Sequence, residues 1–90
     1  MDRKGKETYD GPITGRPRIV DHSTRRTITE IKANDNYVQW FSSQIKDAYA
    51  YALQEGRTFV LKLTRPTAIT KPLQKAAANS AGKFKIKQAK

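Results

Sequence analysis

Asp21, Glu30 and Lys32 are the residues of this chain whose types and spacing best suit chemistry. An acidic residue and a short turn precede the segment TITEIKA, in which a carboxylate and an amine occupy alternate positions. Alternate side chains of a strand share one face, so Glu30 and Lys32 are expected to point the same way. Two carboxylates can share one hard cation, since Mg²⁺ accepts a few protein oxygens and keeps several waters. A lysine beside that cation can position or polarise a water for attack on a phosphodiester, which makes a nuclease the leading hypothesis.

The position of Asp21 depends on a predicted hairpin. A tight turn within residues 23–26 would place Asp21 opposite Ile28, with its carboxylate diagonal to that of Glu30 and the two strand positions about 7–8 Å apart. The backbone carbonyl of Ile31 is a candidate additional ligand. The alternative is an exposed strand face with an ordinary Glu/Lys pair, because Glu-x-Lys is a common pattern on its own.

The charge of the chain favours a polyanionic partner. Its 90 residues make one domain, and 18 Lys plus Arg against 8 Asp plus Glu give a formal net charge of +10. Nucleic acid is favoured over an anionic membrane because no predicted helix combines a basic face with a strongly apolar one. A solubility surface or an acidic protein partner is the alternative. The absence of cysteine excludes disulfides and Cys-ligated zinc or iron–sulfur sites. The single histidine, His22, is expected to face solvent, and it disfavours nuclease sites that need two histidines.

The elements that must position these residues begin with a predicted hairpin. Residues 1–15 are polar and punctuated by glycine, which predicts a loose N-terminal lead-in before a nuclease domain in residues 16–90. Arg16–Val20 and Thr27–Ala33 are predicted to form the two strands of the hairpin.

A long amphipathic helix and two further strands complete the predicted order. Asn34, Asp35 and Asn36 supply capping chemistry for a helix over Asn36–Glu55, and Gly56 ends it. The apolar run TFVLKL is typical of a buried parallel strand. The order predicts an α/β fold in which a β-hairpin is followed by α-β-α-β with a mixed sheet. The last three elements are expected at Thr58–Leu63, from Thr70 to Asn79, and at Lys83–Lys87.

At this point the chain resembles a known family. The run RPRIVDHSTRRTITEIKA, followed by SQIKDAYAYALQEGRTFVLKLTRPTAITKPLQ, is similar to the restriction-endonuclease-fold toxins. These form a PD-(D/E)xK subgroup at the C-termini of bacterial polymorphic toxins. The resemblance implies a small PD-(D/E)xK restriction-endonuclease-like core with Asp21 and Glu30 as metal ligands and Lys32 as the catalytic lysine. It also implies that Gln44 is a catalytic-site residue facing the site from the helix.

Two further positions matter for this resemblance. Val20 stands where the family has proline. An N-terminal helix of the superfamily often supplies another acidic residue, for which Glu7 and Asp10 are the nearby candidates.

Gln44 also has a physical argument of its own. It flanks the apolar face of the predicted helix between Trp40 and Ala48, where its amide can meet a metal-bound water or a phosphate. The alternative is a partly exposed boundary glutamine. Asp47 is expected to lie off the apolar face.

Basic residues beside the proposed site, or in the loop after the central strand, are the natural phosphate contacts. They are Arg16, Arg18, Arg25, Arg26, Arg65 and Lys71. Tyr37, Trp40 and Tyr51 lie along one helical edge, and core packing is expected for most of them, with at least one able to stack on a base. The lysines of the segment KFKIK predict a charged, protected edge strand.

The predicted function is Mg²⁺- or Mn²⁺-dependent hydrolysis of nucleic-acid phosphodiesters, with DNA favoured. The resemblance implies a toxin domain that is secreted or delivered as part of a larger protein, acts in the target-cell cytoplasm, and is neutralised by an acidic immunity protein. No membrane partner is expected. The alternatives are a non-catalytic basic nucleic-acid-binding module, a metal-independent ribonuclease using His22, and a housekeeping nuclease.

Overall fold

The N-terminal part of the chain forms a hairpin of its own. In the computed structural model, which describes residues 7–33 and 38–88, the first two strands pair antiparallel with Tyr9 opposite Arg18. Tyr9 is only 9% exposed and belongs to the core, so the predicted loose lead-in does not hold for this segment. In chain order the elements are β1 (Thr8–Asp10), β2 (Pro17–Ile19), β3 (His22–Ser23), β4 (Thr27–Lys32), β5 (Val38–Gln39), α1 (Ser43–Gln54), β6 (Thr58–Leu63), β7 (Ala68–Ile69), α2 (Lys71–Ala78) and β8 (Phe84–Gln88).

The central sheet of the described residues has the strand order β3-β4-β6-β8. β3 runs antiparallel to β4, whereas β4, β6 and β8 are parallel, so the predicted mixed sheet is confirmed. The predicted pairing of Arg16–Val20 with β4 is wrong, because Pro17–Ile19 pairs with β1 and His22–Ser23 takes the place beside β4. The connections through α1 and α2 step across the sheet in the same direction, and right-handed crossovers then place both helices on one face. α1 packs on β4 and β6, and α2 packs on β8.

The core lies between that face of the sheet and the helices. Most inward positions of β4 and β6, and Phe84 at the start of β8, are buried, and α1 meets them with Ile45, Ala48 and Ala52. Fully burying one large apolar side chain contributes about 1.5–3 kcal/mol relative to leaving it exposed. The buried sheet residues of this core are Ile28, Phe59, Leu61, Leu63 and Phe84. The prediction that TFVLKL is a buried parallel strand is confirmed.

Helix α1 begins later than predicted. Ser42 is its N-cap, and its Oγ accepts a hydrogen bond from the Ile45 N–H at 3.3 Å. Val38–Gln39 are extended because they pair with β7, which removes them from the predicted helix. The predicted caps at 34–36, like Tyr37, lie outside the described residues. Gly56 follows the helix with φ +69°, as the C′ position requires.

The C-terminal elements agree with the predicted order. Thr70 is the N-cap residue of α2 in an extended conformation, but its side chain makes no capping hydrogen bond. β8 is an edge strand of the central sheet, and its Lys85 and Lys87 are exposed. Within the part of the chain that the structure describes, no helix is long and apolar enough to cross a membrane.

Candidate active site

The β3–β4 turn brings Asp21 to the level of Glu30. The Thr24 N–H donates to the Thr27 carbonyl at 2.9 Å, which leaves a two-residue turn at Arg25 and Arg26. Beyond that turn Ser23 is opposite Ile28 and His22 is opposite Thr29. The prediction that Asp21 lies opposite Ile28 is therefore wrong by two residues, because the turn is tighter than expected.

Asp21 is fixed by the backbone of the neighbouring strand. Its Oδ2 accepts a hydrogen bond from the Ile31 N–H at 2.9 Å. This contact uses the Ile31 N–H, and the Ile31 carbonyl as an additional metal ligand stays a prediction. Because His22 is opposite Thr29, Asp21 comes to the level of Glu30, and its carboxyl group is close enough to raise the pKa of Glu30.

Glu30 is a buried carboxyl group on the strand face that also carries Ile28 and Lys32. It is 1% exposed and lies between Ile28 and the end of β4. Burial raises the pKa of Glu30 to about 7, and the negative charge of Asp21 adds to this effect while Lys32 opposes it. Glu30 is therefore about half protonated at neutral pH, and a cation bound there would replace that proton.

Gln44 connects Glu30 to Lys32 from the first turn of α1. Its Nε2 donates to Glu30 Oε2 at 3.2 Å. Its Oε1 accepts from the Lys32 ammonium, so both ends of the amide have a partner. The structure brings together the four residues that the sequence predicted as catalytic: Asp21, Glu30, Lys32 and Gln44.

Asp47 is a buried charge that the sequence analysis misplaced. It is fully buried, whereas it was predicted to lie off the apolar face of its helix. Its Oδ1 accepts from the Ile13 N–H at 2.9 Å and the Thr14 N–H at 3.1 Å. Its Oδ2 accepts from the Thr14 hydroxyl at 2.6 Å and from Arg18 Nε at 2.9 Å. Burial acts to raise the pKa of Asp47, but these hydrogen bonds outweigh it and hold the pKa below its ordinary value.

This ion pair changes the interpretation of Arg18 and Gly11. Arg18 was predicted to contact phosphate, but its guanidinium is committed to Asp47. A Cβ at Gly11 would lie 2.2 Å from Asp47 Oδ2, so only glycine allows this approach. Gly11 and Asp47 are 36 positions apart, and no sequence pattern predicts that they are in contact.

Glu7, a candidate for a further acidic site residue, is engaged elsewhere. Its carboxylate accepts from the Tyr51 hydroxyl and forms an ion pair with Arg57 Nη1 at 2.9 Å. Asp10 is exposed. Among residues 7–33 and 38–88 there is no cluster of three or more His, Asp or Glu side chains that could hold a metal ion.

A comparison with known protein families identifies the chain. The model of the family described as restriction endonuclease fold toxin 7 matches residues 1–73. The chain belongs to this family. No curated protein and no solved structure gave a significant match. Membership supports nuclease activity for this restriction endonuclease fold toxin, and the matched region contains the N-terminal hairpin and the whole Asp21–Gln44 cluster.

The predicted phosphate contacts of the toxin lie in three different places. Arg25 and Arg26 form the tip of the β3–β4 turn, and Arg26 lies four residue steps from Glu30 along the strand, which is about 13 Å. They therefore do not flank the site as predicted. Arg65 and Lys71 follow β6, whose carboxyl end lies beside that of β4, since the Thr64 N–H donates to the Lys32 carbonyl at 3.0 Å. Arg16 is exposed before β2.

A cavity that the sequence analysis did not predict lies at the same edge of the toxin's sheet. Its volume is about 270 Å³. It is lined by Lys62, Leu63, Thr64, Lys87 and Gln88. The cavity is formed by the carboxyl ends of the parallel strands β6 and β8. It could be predicted from the sequence only if the order of the strands in the sheet were already known.

The aromatic residues divide between the core and the surface of the toxin. Tyr51 stacks on Tyr9 with ring centroids 4.2 Å apart and packs against the core, as predicted for that residue. The predicted helical edge shared by Trp40 and Tyr51 is wrong, because α1 begins at Ser43. Trp40 is 66% exposed and is the member of the set that could stack on a base. His22 is exposed, as predicted.

Proposed function

We propose that this restriction endonuclease fold toxin is a metal-dependent endonuclease, with DNA as its substrate. The observation that carries the proposal is the cluster in which Gln44 joins the buried Glu30, adjacent to Asp21, to the Lys32 ammonium. The family supports the nuclease class, and restriction endonucleases, for which the fold is named, cut DNA.

The carboxyl pair fits a divalent cation. Glu30 and Asp21 lie together, and the raised pKa of Glu30 reflects a negative charge that burial leaves poorly stabilised. Mg²⁺ or Mn²⁺ at these two carboxylates would neutralise that charge, and when bound it would polarise the phosphodiester and lower the pKa of an attacking water. Two protein carboxylates suffice for such an ion because Mg²⁺ usually keeps several waters.

Lys32 and Gln44 have separate roles in this proposal. Lys32 lies two residues beyond Glu30 on the same strand face, about 6–7 Å along the strand. Its ammonium can donate to the attacking water or to a phosphate oxygen of the substrate. Gln44 holds that ammonium near the Glu30 carboxylate, because the Gln44 amide contacts both the Lys32 ammonium and Glu30. Without Gln44 the flexible lysine chain would sample more conformations.

The substrate is proposed to lie along the carboxyl edge of the parallel strands. Exposed or partly exposed basic residues occur there beside Lys32, and the net charge of +10 favours a polyanion. The basic residues at this edge are Lys62, Arg65, Lys71 and Lys87. This edge, rather than the β3–β4 turn, is the proposed phosphate-binding surface.

The biological context is proposed from the toxin family. The domain would be secreted or delivered as part of a larger protein and would act in the cytoplasm of a target bacterium. An acidic immunity protein would neutralise it, since the toxin carries 18 Lys and Arg residues and a net charge of +10. Expression of the domain without that partner is expected to arrest growth, and the Glu30→Gln variant is expected to be tolerated.

The decisive experiment compares cleavage of plasmid DNA and of total RNA in Mg²⁺, Mn²⁺ and EDTA. We expect divalent-ion-dependent loss of DNA with the wild-type domain and none with Glu30→Gln. Glu55→Gln is the matched control, because it makes the same change at an exposed residue outside the cluster. If the domain cleaved only RNA, the proposed DNA substrate would be wrong and RNA would take its place. Salt-sensitive binding without cleavage in any ion would identify a binding module and overturn the proposal.

A further inference from the structure

Two buried hydrogen-bond donors that lie on one face of the N-terminal hairpin have no partner in the part of the chain that the structure describes. The Tyr9 hydroxyl and Arg18 Nη2 find no hydrogen-bond acceptor within residues 7–33 and 38–88. Tyr9 and Arg18 are directly opposite each other in the β1–β2 hairpin, so their side chains leave the same face. An unsatisfied buried donor destabilises a fold, and a native protein that keeps two of them needs a reason for it.

Helix α1 places this pair next to the carboxyl cluster. Gln44, Asp47 and Tyr51 are spaced three and four residues apart, so they follow one side of the helix at about 5.4 Å per turn. Gln44 contacts Glu30, Asp47 holds Arg18, and Tyr51 stacks flat on Tyr9 with an interplanar angle of 5°. The two orphaned donors thus lie on the helix side that leads to Glu30.

The electrostatics agree with this placement. Burial raises the pKa of Tyr9, and the charges of Glu30 and then Asp47 raise it further. The positive charge of Arg18 in turn opposes the upward shift in the pKa of Glu30. Tyr9 and Arg18 therefore both act on the carboxyl group that the proposed function assigns to the metal.

We propose that Tyr9 is a positioning residue of the metal site, whose hydroxyl donates towards the ionised Glu30 carboxylate and holds it in the orientation that ligates the cation. This inference rests on the proposed function. An ionised Glu30 has more lone pairs than Gln44 Nε2 can satisfy. The Tyr9 hydroxyl is a neutral donor without a partner among the described residues, and the charge of Glu30 acts on it. Partners of this kind fix the orientation of metal-binding carboxylates.

The test is Tyr9→Phe, which removes the hydroxyl and keeps the ring that stacks on Tyr51. Because that hydroxyl has no partner among residues 7–33 and 38–88, Tm without metal is expected to be unchanged or higher. The Mn²⁺ concentration that gives half of the maximal Tm increase is expected to rise about 10–100-fold, the usual cost of losing such a partner. The Mn²⁺ requirement for DNA cleavage is expected to rise in parallel.

Tyr51→Phe is the matched control, because it deletes the hydroxyl from the other ring of the same stack. That hydroxyl donates to Glu7, which is ion-paired with Arg57. We therefore expect the opposite result, namely a lower Tm without metal and a wild-type response to Mn²⁺.

The outcomes separate this inference from the proposed function. If wild type responds to Mn²⁺ and Tyr9→Phe responds identically, the role of Tyr9 is overturned and the nuclease stands. A loss of Tm or of fold in Tyr9→Phe would show a structural partner for the hydroxyl and would also overturn it. A wild-type protein without any Mn²⁺ response would overturn the metal site and the role of Tyr9 together.

Discussion

Gln44 Nε2 donates to Glu30 Oε2 at 3.2 Å, across a sequence separation of 14 residues that spans two secondary-structure elements. The same amide accepts from Lys32, so one helix residue sets the distance between a carboxyl group and an ammonium group. This arrangement links the start of α1 to the end of β4 at the proposed centre.

Replacing Gln44 should separate activity from stability. We expect Gln44→Ala to reduce cleavage about 10–100-fold, because Glu30 and Lys32 lose the group that orients both. Its effect on unfolding should be about 1 kcal/mol, typical of a lost neutral hydrogen bond. Gln54→Ala, an exposed change on the same helix, is the control. Equal activity in the two variants would remove Gln44 from the site.

The stability of the metal-free protein should fall as pH rises through neutrality. Glu30 has a pKa of about 7 in the folded state against an ordinary value of 4.5, so the folded state binds more protons between these values. Stability from this group is fully present below about pH 4.5 and is lost as pH rises through 7, by on the order of 3 kcal/mol.

Glu30→Gln isolates that effect. It cannot ionise, so its stability should exceed that of wild type at pH 8 and approach it at pH 5. Urea unfolding at both pH values in EDTA measures the difference. A difference in the free energy of unfolding between wild type and variant that does not change with pH would contradict the raised pKa of Glu30.

Cleavage should show the reverse dependence on pH. The cation must displace the proton that Glu30 holds, so the rate at fixed, subsaturating Mn²⁺ should drop about tenfold per pH unit below about 7. Raising Mn²⁺ should move the apparent midpoint to lower pH. Initial rates on plasmid DNA from pH 5.5 to about 8.5 test this, and a flat profile would argue against ligation by Glu30.

Asp47→Asn should damage the fold rather than the chemistry. It removes the charge that pairs with Arg18 and turns one acceptor oxygen into a donor facing other donors. Breaking a buried ion pair in this way costs about 3–5 kcal/mol. Asp10→Asn, in an exposed position of the same N-terminal hairpin, should leave the urea midpoint unchanged.

The basic surface can be mapped by salt dependence. We expect Lys71→Ala to reduce the slope of log affinity against log salt by about 1, as for one lost phosphate contact. Arg25→Ala at the distant β3–β4 turn should leave the slope unchanged. Binding to a short DNA duplex by catalytically inactive Glu30→Gln protein measures both, and an effect of Arg25 alone would move the substrate to the turn.

Local patterns were enough to predict several features of this protein. Alternation in TITEIKA placed Glu30 and Lys32 on one face, because side-chain direction in a strand repeats every two residues. The apolar TFVLKL predicted the buried strand, and Gly56 marked the helix end through its left-handed backbone. The mixed sheet followed from the order of the elements.

Contacts between distant segments decided the rest. The β3–β4 register places Asp21 beside Glu30. That register depends on the length of the turn between the two strands, and the sequence of residues 23–26 is compatible with more than one turn length. The buried Asp47 carboxylate is stabilised by the backbone N–H of Ile13, which lies 34 residues away in the sequence. The start of α1 depends on the pairing of β5 with β7. The sequence alone determined which chemical groups were available and which strand face carried two of them. Only the tertiary structure decided which partners each group meets, because those partners are supplied by segments that local periodicity does not relate.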